Sequence, residues 1–113
     1  MGLINLSYLN DLADNDQDFI HEILTIFKTH TPAELEKLEA ARQTADLQTI
    51  KAIAHKLKSS AANLGMSETQ ALFIRIETAV KSQKPYPQIS DMISLVIDQC
   101  RQAIREVEEK LNA

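Results

Sequence analysis

The chain has 113 residues, 44% of them hydrophobic and 25% charged, which fits one globular domain and excludes a disordered segment. Its net charge of −4 gives it no electrostatic footprint for nucleic acid or an anionic membrane surface. One cysteine, Cys100, rules out an internal disulfide and points to a cytoplasmic protein. No apolar run approaches the ~18 residues of a membrane span.

Gly occurs twice and Pro three times, while Leu, Ala, Glu, Lys and Gln dominate, so long helices are expected. A short helix is read over 6–13, with Ser7 or Asn5 as its cap and Tyr8, Leu9 and Leu12 on its apolar side. Asp14-Asn15-Asp16 breaks it. From Asp16 the stripe Ile20, Ile23, Leu24, Phe27 has helical spacing and resumes at Leu35 and Leu38. Thr31-Pro32-Ala33-Glu34 has the form of a capping box, which starts a new helix at Pro32; the alternative is one long helix over about 16–43.

Asp46 is a good cap for the next helix, whose stripe is Leu47, Ile50, Ala54, Leu57, Ala61 and Leu64. Gly65 is the structural turn that closes it. Ser67 and Gln70 form a second capping box, opening a helix to about Ser82 with Ala71, Leu72, Ile76, Ala79 and Val80 inward. After Lys84-Pro85-Tyr86-Pro87, a last helix runs from about Gln88 to Leu111, with Ile89, Ile93, Val96, Ile97, Cys100, Ile104, Val107 and Leu111 inward. The expected fold is all-α: one domain over 1–113, an antiparallel up-down four-helix bundle with a short extra N-terminal helix.

On a helical wheel at ~100° per residue, Ile50, Ile53, Ala54, Leu57, Ala61 and Leu64 share one face. His55 falls about 160° from Leu57, on the solvent side, beside Ala52, Ser59 and Ala62. Lys51 and Lys58 border this patch on one side and Lys56 on the other, and 47–67 contains no acid. Small neighbours let another protein approach the imidazole, so Lys51, Ala52, Lys56, Ser59 and Ala62 are the candidate docking surface. The Lys58 ammonium can neutralise a phosphoryl group. An isolated surface histidine among lysines is usually only a solvated side chain. His21 and His30 stay in that class, and no histidine pair has metal-ligand spacing, so no metal site is expected.

The string His55, Leu57, Lys58, Ser59, Ser60, Gly65 resembles the signature of the histidine-containing phosphotransfer (HPt) family: His, Leu two on, Lys three on, small residues next, Gly ten on. The upstream segment from Phe19 to Phe27, with Thr31-Pro32-Ala33-Glu34-Leu35, also looks like that family's second helix. Ser59 departs from the glycine common there, and its hydroxyl is a candidate contact for a phosphoryl group. The resemblance implies a phosphocarrier of two-component signalling. His55 would take a phosphoryl group from a receiver-domain aspartate, on a response regulator or hybrid histidine kinase, and pass it to another. The domain would have no autokinase activity, no bound cofactor, magnesium supplied by the receiver, and a monomeric state. His55 lies eleven residues before Met66 and Glu77 eleven after it, so the hairpin places them level. Glu77 resembles the family's group that orients the imidazole. The rival reading is a helical interaction module that uses this face without phosphotransfer.

Overall fold

The structure, a computed structural model, describes residues 2–112. Helix α1 spans Leu6–Leu12, and Asn5 caps it by accepting from the Tyr8 N–H at 2.9 Å. Its Leu9 is buried, whereas Tyr8 and Leu12, expected on the apolar side, are exposed. Asp14 and Asn15 then take left-handed backbone (φ 52° and 61°), which short polar side chains tolerate. Asp16 caps α2 through the Phe19 N–H.

Helix α2 runs unbroken over Gln17–Gln43, so the long-helix alternative holds and no helix starts at Pro32. The reason is the buried stripe Ile20, Leu24, Phe27, Thr31, Leu35, Leu38, which keeps helical spacing straight across the proline. Burying that stripe outweighs one missing backbone hydrogen bond, and Pro32 itself is exposed. The capping box there does not form, because the Glu34 carboxylate turns to Lys56 instead.

Helices α3 (Leu47–Asn63), α4 (Ser67–Lys81) and α5 (Tyr86–Leu111) complete the bundle. Asp46 caps α3 as expected, accepting from the Thr49 N–H at 3.2 Å. At α4 the expected Ser67–Gln70 box is absent. The cap is Met66, which is buried and offers no side-chain bond, and Ser67 is already the first helical residue. The inward face of α4 is Phe73, Ile76 and Ala79. Ala71, expected inside, is exposed, and Phe73 takes the core position. Buried Thr69 donates to Gln99 of α5 at 2.6 Å, and the Tyr86 hydroxyl donates to the Arg42 carbonyl at 2.5 Å.

The four long helices form a ring in which α2 packs on α3, α3 on α4, α4 on α5 and α5 on α2. The molecule measures 43 × 23 × 21 Å, its length set by α2 at ~1.5 Å per residue. Among the described residues no helix is long and apolar enough to cross a membrane.

Helices α2, α3 and α4 all end on a left-handed residue: Ala45 (φ 51°), Gly65 (φ 66°) and Gln83 (φ 56°). In each case the next N–H bonds back to the carbonyl five positions earlier, at 2.9–3.0 Å. Conformation alone therefore does not demand glycine. Crowding does so at Gly65, where a Cβ would lie 2.7 Å from Asn5 Cβ and 3.1 Å from Tyr8 Cβ. The N-terminal segment is drawn onto this turn by the Asn5 N–H, which donates to the Leu64 carbonyl at 2.9 Å. The Leu3 and Ile4 N–H groups donate to the Glu106 carboxylate of α5 at 2.8–3.1 Å.

Candidate functional site

The α3–α4 hairpin brings three of the singled-out residues together. The Glu77 Oε2 lies 3.1 Å from His55 Nδ1, and Oε1 lies 3.0 Å from Lys58 Nζ. Lys58 Nζ is also 3.4 Å from His55 Nδ1. The carboxylate can only accept, so the bond to Glu77 puts the hydrogen on Nδ1. Nδ1 then has no lone pair for Lys58, whose favourable contact is the ion pair with Glu77. With Nδ1 engaged, Nε2 is the nitrogen left with a free lone pair.

Exposure divides the trio by task. The His55 side chain is 70% exposed, while Glu77 is 15% exposed and Lys58 is 27% exposed. Burial alone would push the Glu77 carboxyl up. The bonds from Lys58 and His55 outweigh it and hold the group below the ordinary carboxylate range, ionised at neutral pH. A fixed anion thus stands behind an exposed imidazole, with a cation at its side.

Ala52 and Ser59 are exposed near His55 on α3, and Ala62 and Lys51 are half-buried. The low patch read from the wheel is present as a surface. Lys56 lies on the opposite flank and bonds Glu34 of α2 at 2.9 Å, with Lys37 at 3.7 Å from the same oxygen. Glu34 was missed in the sequence. Its signal was an acid three residues after Thr31 and four before Leu38, on a buried stripe that needs a cation. Between α2 and α3 lies a groove of about 120 Å³, floored by Ile23, Ile26, Phe27 and Leu57 and edged by His30 and Lys56. Ile26 is half exposed there, and His21 and His30 are exposed without ionic partners among the described residues. Burial pushes the Cys100 thiol up to about 12, so it stays protonated and inert.

Residues 22–110 match the model of the Hpt domain family. The chain belongs to that family. Hpt domains are phosphocarriers of two-component phosphorelays and act with receiver domains, which gives this chain its phosphorelay role. The chain is 36% identical over 75 residues to the sensor protein TorS of Escherichia coli (strain K12), covering 66% of this chain and 8% of that protein. It therefore spans a small fraction of that relative. Its fold also matches the crystal structure of the HPT domain from an Hpt sensor hybrid histidine kinase of Shewanella. There the TM-score is 0.88 at 24% identity, over 97% of this chain and 94% of the other. At that identity the likeness is one of fold. This Hpt domain shares with it the all-helical bundle on which His55 stands exposed.

Proposed function

We propose that this Hpt domain carries the phosphoryl group on Nε2 of His55. The lone pair of Nε2 attacks the phosphoaspartate of one receiver domain, and the group later passes to the aspartate of another. The observation that carries this reading is the exposed imidazole whose Nδ1 faces the Glu77 carboxylate at 3.1 Å. A neutral imidazole held in that tautomer needs no further base. Lys58 meets the phosphoryl charge, and the Ser59 hydroxyl is one turn away on the same stripe. The receiver brings magnesium and its acidic pocket. The domain works as a monomeric carrier in the cytosol, without autokinase activity.

The docking face comprises Lys51, Ala52, Ser59 and Ala62 around His55, with Lys56 at its edge. The groove floored by Ile23 and Ile26 extends it toward α2. An apolar helix of the receiver fits that groove while its acidic pocket meets Lys58.

His55→Gln is expected to abolish uptake of acid-labile phosphate from a phosphorylated receiver and to leave the melting temperature nearly unchanged, because the side chain is exposed. Uptake by the variant would place the phosphate elsewhere. Wild type that binds a receiver but never takes phosphate would favour the interaction module. Ser59→Gln keeps helix propensity but raises a wedge on the face. Receiver affinity and transfer rate are expected to fall together, and an unchanged affinity would move the docking surface off this stripe.

A further inference from the structure

Glu77 is a charged group where a neutral acceptor would be enough to orient an imidazole, and the charge has a consequence for the outgoing step. This inference rests on the phosphocarrier reading of His55. When Nε2 attacks the acyl phosphate, the Nε2–P bond forms, the P–O bond breaks, and its electron pair leaves with the receiver's aspartate. Nδ1 keeps its hydrogen, so the immediate product is a phosphoimidazolium cation. If that proton is lost, the ring becomes a neutral phosphoimidazole. Cleaving N–P from the neutral ring would expel an imidazolate, a very poor leaving group. From the cation the leaving group is neutral imidazole.

We propose that the Glu77 carboxylate holds the Nδ1 proton on phosphorylated His55 and so keeps the phosphoryl group transferable. The anion lies 3.1 Å from Nδ1 on a side chain only 15% exposed, where water screens it weakly. The other charged groups on this face are cations. Lys58 of α3 stands 3.4 Å from Nδ1 and opposes the imidazolium, although its pairing with Glu77 Oε1 at 3.0 Å absorbs part of its charge. Lys51 of α3 and Lys81 of α4 each sit one turn away in sequence. On the side of α2, Glu34 is occupied by Lys56 and Lys37. Among the described residues, Glu77 is thus the acid paired with the ring. A glutamine at this position would accept the same hydrogen bond without stabilising the cation, which makes Glu77 a positioning residue with an electrostatic task.

The test uses the phosphorylated domain by itself. Wild type, Glu77→Gln and Lys58→Met are phosphorylated with phosphoramidate and freed of it. Nδ1 protonation is then followed by ¹⁵N NMR, and phosphate loss by ³¹P NMR, between about pH 5 and 10. An opposite charge at this range moves a titration by roughly one unit or more. The Nδ1 midpoint is expected to fall by that amount in Glu77→Gln, and phosphate loss is expected to slow at a correspondingly lower pH. In Lys58→Met the midpoint is expected to rise, because the opposing cation is gone. A tautomer-setting or purely structural role would leave these midpoints together. Equal midpoints in wild type and Glu77→Gln, with phosphate on His55 in both, overturn the inference and leave the phosphocarrier reading standing. If Glu77→Gln does not fold, an unchanged or lowered midpoint in Lys58→Met overturns it equally. Wild type that takes no phosphate on His55 overturns both readings.

Discussion

Two half-buried glutamates, Glu77 and Glu106, perform the same physical act with different results. Each gathers N–H donors from another part of the chain. Glu77 takes the His55 ring and the Lys58 ammonium; Glu106 takes the Leu3 and Ile4 backbone amides, with Gln102 beside them. In both, burial pushes the carboxyl up and the donors outweigh it, leaving the group below the ordinary range. The difference lies in what stands beyond the donor. Behind the amides is a strap packed on the bundle. Behind the imidazole Nδ1 is a second ring nitrogen on an exposed side chain. A carboxylate clamp becomes a reactive site when the clamped group has another functional atom facing solvent, and otherwise only holds the chain.

The sharpest way to break the N-terminal end is at its turn. Gly65→Ala must accept a left-handed alanine and push Asn5 and Tyr8 away, so a loss of about 2–4 kcal/mol is expected. Ala45→Gly, at the same backbone conformation without such crowding, should be neutral or stabilising by up to ~1 kcal/mol. Chemical denaturation of both variants checks this, and equal effects would mean that crowding is irrelevant at Gly65.

At the other end, Lys58→Ala removes a cation that faces both Glu77 and the phosphoryl position. Transfer from a phosphorylated receiver is expected to slow about tenfold to a hundredfold, as for loss of a charge-assisted contact, with little change in melting. Stopped-flow or quenched transfer assays would read it. An unchanged rate would remove Lys58 from phosphate stabilisation.

The smallest expected effect is at the strap. Glu106→Gln keeps an acceptor but loses the charge, at a cost of about 1 kcal/mol. Because the folded carboxyl sits below its unfolded value, its contribution is present above that value and is lost as pH falls through the folded one. Amide exchange at Leu3 and Ile4 should therefore be protected at neutral pH and lose protection below roughly pH 4, ahead of the bundle core. Simultaneous loss in strap and core would show that the strap does not open independently.

Much of the fold was legible locally. Asp16 and Asp46 announced helix starts, Gly65 announced an end, and the stripes of α3 and α5 named most of their core residues. Three local signals failed where burial had a stronger claim. Pro32 did not start a helix because its stripe continued on both sides. Ser67 did not cap α4 because buried Met66 fixed the turn one residue earlier. Ala71 gave way to Phe73, the larger residue to bury. The sequence by itself determined which residues face inward on each long helix, that His55 is exposed among small side chains, and that Glu77 is level with it, because these follow from helical period and a short turn. Only the tertiary structure decided that both glutamate oxygens are divided between His55 and Lys58, that Glu34 captures Lys56, and that Gly65 makes room for Asn5. Those are contacts between segments far apart in the chain, and their geometry is set by how whole helices pack rather than by any local pattern.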